Sequence, residues 1–282
     1  MRKSTGSTAL REEIVRANGI AMNVASGGEG PVALLLHGFP DTHAVWRKQI
    51  DALIQAGYRV VAPDLRGYGK TEAPEGVANY RLEVLRDDVL ALLDAMKIDR
   101  VYLIGHDWGS IIGWQLCLHA PERVERFAAL SVGHPAAYVR AGVGQLLMAW
   151  YAVVFQLPLI SEMMVKAGDL ALLKLYRADD EQLADWRANF AGRGRITAAL
   201  NYYRANLKLA GAGGSNKTPT KVLGVWSKGD PALTEAQMRD SAKYVTGGFE
   251  YARIDDKVGH WMQLAAPERV NKLLLTFGPN AG

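Results

Sequence analysis

The sequence predicts an α/β fold: a mostly parallel central sheet flanked by helices, with an all-helical lid inserted between late strands. Short β-branched or apolar runs alternate with helical patterns, as βα units do. That rhythm stops between about Pro135 and Lys217, where only helical patterns rich in Met, Trp, Tyr and Leu occur, and strand character resumes at Lys221. The expected division is a first part of the core over 1–135, a helical lid over 136–218 and a second part of the core over 219–282.

The chain opens with an expected antiparallel hairpin at the sheet edge, Glu13 to Val24, turning at Asn18-Gly19, a pair suited to tight hairpin turns. Val32 to Leu36 is a continuous apolar run, the mark of a strand buried on both faces. Arg59 to Ala62, Val101 to Ile104, Phe127 to Leu130 and Val222 to Trp226 repeat it. Between them, Leu82, Leu85, Val89, Leu92, Leu93 and Met96 form a helical stripe. Phe249 to Ile254 is a further strand, and Gly211 to Ser215 has the composition of a flexible return linker.

Composition narrows the function classes. Of 282 residues, 49% are hydrophobic and 22% charged, which fits a soluble globular enzyme and argues against disorder. The 33 basic and 29 acidic residues are scattered, so no nucleic-acid partner is expected. Cys117 is the one cysteine; it lies in an apolar helical stretch and excludes an internal disulfide framework and any Cys-based metal cluster. Ala141 to Ser161 carries no charge and has about the length of a bilayer span. It is interrupted by Gly142, Gly144, Gln145, Gln156 and Pro158, so a helix covering an apolar pocket is expected instead, with no membrane partner. Met1 to Leu10 is basic and polar without an apolar core, so no secretory signal is read there and the cytoplasm is the expected compartment. A monomer or homodimer is expected.

The sharpest chemical feature is Gly105-His106-Asp107-Trp108-Gly109, which directly follows a buried strand and precedes a helical stretch. That is the strand–turn–helix context of a nucleophile elbow, with glycine two residues before and after the strained central position. The nucleophile is then Asp107. A serine attacking an sp³ carbon leaves a stable ether, whereas a carboxylate leaves an ester that water can hydrolyse, so the elbow points to ring opening or halide displacement. Such enzymes carry nucleophile, acid and histidine in that chain order. Asp230 follows the late strand, and of the histidines only His260 comes after both Asp107 and Asp230. Asp255 and Asp256 are alternative acids, better placed to end a strand. His37-Gly38-Phe39-Pro40 follows the third strand; the backbone N–H groups of Phe39 and Trp108 are the expected oxyanion hole, and Pro40 is a candidate cis peptide.

From about residue 13 to 278 these residues resemble the epoxide hydrolases of the α/β-hydrolase superfamily. His37 to Pro40 is similar to the family's HGxP motif, Asp64 to Gly69 to its DxRGxG loop, Gly105 to Gly109 to its GHDWG, and Gly259-His260-Trp261 with Gln263 to its GHWxQ ending. The resemblance implies two lid tyrosines that hold and protonate the epoxide oxygen. Asn201-Tyr202-Tyr203-Arg204 resembles the segment carrying one, mapping it onto Tyr203, and Trp150-Tyr151 the other, mapping it onto Tyr151. Successive helical residues point about 100° apart, so Tyr202 and Tyr203 cannot both face the substrate. Phe39, Trp108, Tyr151 and Tyr203 are the implied substrate contacts, the substrate is an apolar epoxide plus water, and neither a metal nor an organic cofactor is implied. Haloalkane dehalogenases share the elbow and also use a Trp where Trp108 stands, to hold halide, but commonly offer Asn where Phe39 stands. Fluoroacetate dehalogenases place arginines after the nucleophile, where this chain has Trp108 and Ser110. A non-catalytic receptor on the same fold is the alternative from another class. Gly69-Lys70-Thr71 is no P-loop, since the required glycine is Asp64, and His134-Pro135 has no metal-ligand partners at useful spacing.

Overall fold

The computed structural model describes residues 10–174, 179–207, 216–255 and 258–279. The strands are β1 (Arg11–Ala17), β2 (Ile20–Gly27), β3 (Val32–Leu36), β4 (Arg59–Pro63), β5 (Val101–His106), β6 (Val124–Leu130), β7 (Lys221–Ser227) and β8 (Phe249–Ile254). They form one sheet in the order β1-β2-β4-β3-β5-β6-β7-β8. β1 and β2 pair antiparallel through the Asn18-Gly19 turn, where both residues have positive φ, 45° and 77°. β2 joins β4 antiparallel and every later pairing is parallel.

The runs read as doubly buried strands are so. β5 is buried at every position, and β3, β6 and β7 are buried over most of their length. Around the sheet lie α1 (Arg47–Gln55), α2 (Leu82–Ala95) and α3 (Trp108–His119). The helical stripe begins at Leu82 because Tyr80 closes a separate 3₁₀ turn, Val77–Tyr80. Cys117 is buried in α3, as its apolar neighbours suggest.

Between β6 and β7 the described residues form helices: α4 (Pro135–Arg140), α5 (Val143–Met148), α6 (Trp150–Val154), α7 (Ile160–Lys174), α8 (Asp180–Ala191) and α9 (Arg195–Ala205). The uncharged 141–161 stretch is not the single helix expected. It is two short helices and the start of a third, broken where Gly142 and Leu159 take positive φ of 84° and 68°. α7 is itself interrupted at Ala167–Leu170. The Gly211–Ser215 linker lies outside the described residues. The chain finishes with α10 (Glu235–Arg239), α11 (Met262–Ala265) and α12 (Pro267–Phe277).

Beneath the lid, Arg66 and Asp88 form a buried ion pair, with Nε to Oδ2 at 2.7 Å and Nη2 to Oδ1 at 2.5 Å. Asn18 adds a 2.8 Å hydrogen bond to the same carboxylate. The Arg66 carbonyl accepts from the Tyr202 hydroxyl at 2.7 Å, so this pair also supports α9. The P-loop-like Lys70-Thr71 is used structurally: Lys70 pairs with Glu12, and the Thr71 hydroxyl donates to the Asp64 carbonyl. Removing one partner of a buried pair strands the other charge. Arg66→Met is expected to lower unfolding free energy by about 3–5 kcal/mol, read by urea denaturation, and Arg66→Met/Asp88→Leu to recover most of that loss.

Candidate active site

Asp107 stands between β5 and α3 with φ 52° and ψ −120°, a conformation rarely open to a residue with a side chain. Its strain, of order 1–3 kcal/mol, is held by packing on both sides. α3 starts so close to β3 that a Cβ at Gly109 would run into the Leu36 carbonyl, and one at Gly105 would lie 2.5 Å from the Gly109 carbonyl oxygen. Both glycines of the elbow are therefore dictated by backbone approach.

Asp107, His260 and Asp230 come together from the ends of β5, β8 and β7. His260 Nδ1 lies 2.9 Å from Asp230 Oδ2, and Nε2 lies 3.7 Å from Asp107 Oδ2. The other Asp230 oxygen accepts from the N–H groups of Ala232 and Leu233 at 2.9 and 3.2 Å. Burial alone pushes the His260 ring down, but Asp230 and Asp107 outweigh it and hold the imidazole well above its ordinary value. Burial likewise pushes Asp107 up, and His260 with the Phe39 N–H brings it below the ordinary carboxylate value. Asp255 is exposed and paired with Arg253, while Asp256 lies outside the described residues.

Phe39 N–H donates to Asp107 Oδ1 at 2.8 Å. The second expected donor, the Trp108 N–H, is the first of α3, where backbone N–H groups point out of the helix end. The Phe39–Pro40 peptide is cis. His37 fixes this loop: Nε2 accepts from the Leu65 N–H at 2.9 Å, so Nδ1 carries the proton toward the Gly38 carbonyl. Burial pushes its pKa down to about 4, which keeps that tautomer neutral.

The lid places Tyr151 and Tyr203 over Asp107. Their rings lie 5.9 Å apart and nearly perpendicular. Tyr203 also packs edge-on against Trp108 at 5.1 Å and Phe39 at 5.6 Å. Tyr202 turns the other way, into the core. Arg204 locks the two tyrosine-bearing segments together, donating to the Phe155 carbonyl, Ser161 and both oxygens of Glu162. Two apolar cavities meet at Asp107 and the tyrosine pair. One extends past Phe39, Phe155 and Trp150; the other extends past Ile111, Val132 and Tyr138.

Two buried groups beside the site have no role legible in local sequence pattern, although His106 stands inside the elbow motif. Asp41 accepts from the indole N–H groups of Trp186 and Trp261 at 2.7 and 2.8 Å, tying α8 to the loop of His260. Burial pushes its carboxyl up to about 6. His106 lies 4.6 Å under the His260 ring and holds that loop through the His260 carbonyl at 3.0 Å. Their partners are 145, 220 and 154 residues away in sequence, beyond the reach of any motif. His134, by contrast, caps α4 and stacks on Tyr244.

A model of the α/β-hydrolase fold family matches residues 31–267. AB hydrolase superfamily protein YfhM of Bacillus subtilis is 33% identical, over 95% of this chain and 98% of its own. Human epoxide hydrolase 4 is 34% identical over 90% of this chain and 74% of its own. The crystal structure of an epoxide hydrolase from Vigna radiata superposes with a TM-score of 0.82 at 33% identity, covering 95% of this chain and 97% of that one. The chain belongs to the α/β-hydrolase superfamily, a class of enzymes whose nucleophile sits on a strand–helix elbow. Within that class it is a member of the epoxide hydrolase family.

Gly38 tests how tightly the nucleophile is held. A Cβ there would collide with the Asp107 side chain. Gly38→Ala is expected to cut kcat by at least about a hundredfold, the scale of losing an oxyanion-hole contact, with KM changing much less.

Proposed function

We propose that the chain hydrolyses an apolar epoxide to a vicinal diol through a covalent ester on Asp107. The observation that carries this reading is the facing arrangement of Asp107–His260–Asp230 and the Tyr151–Tyr203 pair across one apolar cavity. The segment over 136–218, whose described residues are largely helical, acts as the lid that excludes water and supplies the acids.

Tyr151 and Tyr203 hold the epoxide oxygen. Asp107 Oδ1 is engaged by the Phe39 N–H and becomes the ester carbonyl oxygen; Oδ2 attacks a ring carbon. The carbon–oxygen bond of the ring breaks, and the alkoxide takes a tyrosine proton. Burial and the negative Asp107 both hold the Tyr203 phenol well above its ordinary pKa. As Asp107 gives up its charge to the new bond, that phenol becomes a stronger acid at the moment a proton is needed.

The same loss of charge converts His260. With Asp107 ionised, two carboxylates hold the ring protonated. Once Asp107 is an ester, one of them is gone, and the ring releases a proton that restores the phenol. His260, oriented by Asp230, then takes a proton from water, which attacks the ester carbonyl. The Phe39 and Trp108 N–H groups receive the developing oxyanion. The Cγ–Oδ2 bond then breaks, and the departing alkoxide takes the proton of the hydroxyl that water added. The diol leaves with Oδ2, with Asp107 ionised and His260 protonated as at the start. Phe39 offers no side-chain donor where a second halide donor would be needed, which supports an epoxide over a halide leaving group. A single buried cysteine suits the reducing cytoplasm.

Single turnover in ¹⁸O water with excess enzyme is the direct test: the first diol is expected to be unlabelled and Asp107 to acquire the label, whereas labelled diol rules out the ester. His260→Gln is expected to accumulate the alkyl-enzyme, seen by intact mass; no adduct would instead favour a receptor. Asp107→Asn, which mimics the uncharged ester, is expected to lower the His260 pKa measured by NMR titration below that of the native enzyme.

A further inference from the structure

Among the described residues, most of the large apolar side chains left exposed lie between Val143 and Met163, on α5, α6 and the start of α7. Val143, Leu146, Leu147 and Leu159 are each about 70% exposed or more. Exposed apolar patches of this kind mark interaction surfaces, since leaving them in water forgoes about 25 cal/mol per Å².

Two further facts indicate what covers this one. Trp150 is half exposed on the patch and also lines the cavity that contains Asp107, so the patch continues into the mouth of the site. From Val139 to Lys166 the charged residues are Arg140, Glu162 and Lys166. Glu162 is matched by Arg204, and Arg140 lies over the Tyr244 ring and donates to its hydroxyl, a contact that leaves its charge without a carboxylate. Arg140 and exposed Lys166 are thus the unbalanced charges at the two ends. An apolar face with an interfacial tryptophan and a cationic rim complements a bilayer of anionic headgroups.

We propose that the α5–α7 face docks on the surface of an anionic lipid bilayer, lying in the headgroup region and turning the cavity mouth toward the phase in which an apolar substrate concentrates. No helix among the described residues is long and apolar enough to cross a membrane, so the attachment is peripheral. The direction of substrate delivery rests on the epoxide reading; the docking itself does not.

The test is cosedimentation of the full chain, without substrate, with vesicles of phosphatidylcholine alone or mixed with phosphatidylglycerol, at low and high salt. Binding to the anionic vesicles is expected, weakened by salt. Leu146→Asp/Leu147→Asp is expected to bind at least tenfold more weakly, and Lys166→Glu about fivefold more weakly. Both variants are expected to retain the native circular dichroism and, with a small water-soluble epoxide, turnover within twofold of native. Failure to bind any vesicle, or undiminished binding by the aspartate pair, overturns the proposal. So does a native dimer in light scattering that the aspartate pair splits, which would assign the face to a second copy of this chain. Vesicle binding with no epoxide turnover would leave docking standing and remove the enzymatic reading.

Discussion

One imidazole lies between two carboxylates inside a space closed by the lid, and the remainder of the site answers to that arrangement. Carboxylates gathered around an imidazole away from water are a costly arrangement unless hydrogen bonds meet the unused lone pairs. The fold meets them with backbone donors: the Phe39 N–H at Asp107, and the Ala232 and Leu233 N–H groups at Asp230. Each of these donors, and each side chain they serve, comes from a loop at the C-terminal end of a parallel strand. Strand register therefore sets the electrostatics of the site as directly as it sets the packing of the core.

The same arrangement makes the site respond to its own chemistry. Asp107 influences both His260 and Tyr203 through its charge. In the mechanism proposed above, esterification removes that charge. An acid that must hold its proton before the reaction and release it during the reaction, and a base that must be created afterwards, can thus be governed by one bond. The apolar lining contributes by keeping the local dielectric low, so that a single charge matters over several ångströms.

Much of this was legible in the sequence because it is local. The strands buried on both faces are continuous apolar runs, the hairpin has its Asn18-Gly19 turn, and the elbow has its two glycines within five residues. Tyr202 and Tyr203 could be told to diverge from helical geometry alone, and resemblance was needed to choose which one faces the cavity. Asp41 could not be read, and His106 only as a member of the elbow motif, because what defines their roles is contact with Trp186, Trp261 and His260 from distant parts of the chain. The 141–161 stretch was misjudged as one helix for another reason. Freedom from charge reports an apolar environment but carries no period, and the breaks at Gly142 and Leu159 are conformational.

The attachments of the lid are unequal along its length. α8 is bound to the core through Trp186 and Asp41, and α9 through Tyr202 and the Arg66 carbonyl. α5 and α6, which carry Tyr151, turn most of their large side chains outward, and α5 is fastened through Gln145 to the loop at Ala232 and Thr234. The end of α6 is in turn tied to α9, where Arg204 donates to the Phe155 carbonyl and Gln156 to the Tyr203 carbonyl. The spacing between the Tyr151 and Tyr203 rings is therefore set within the lid itself, and any shift of the lid relative to the core carries the two together.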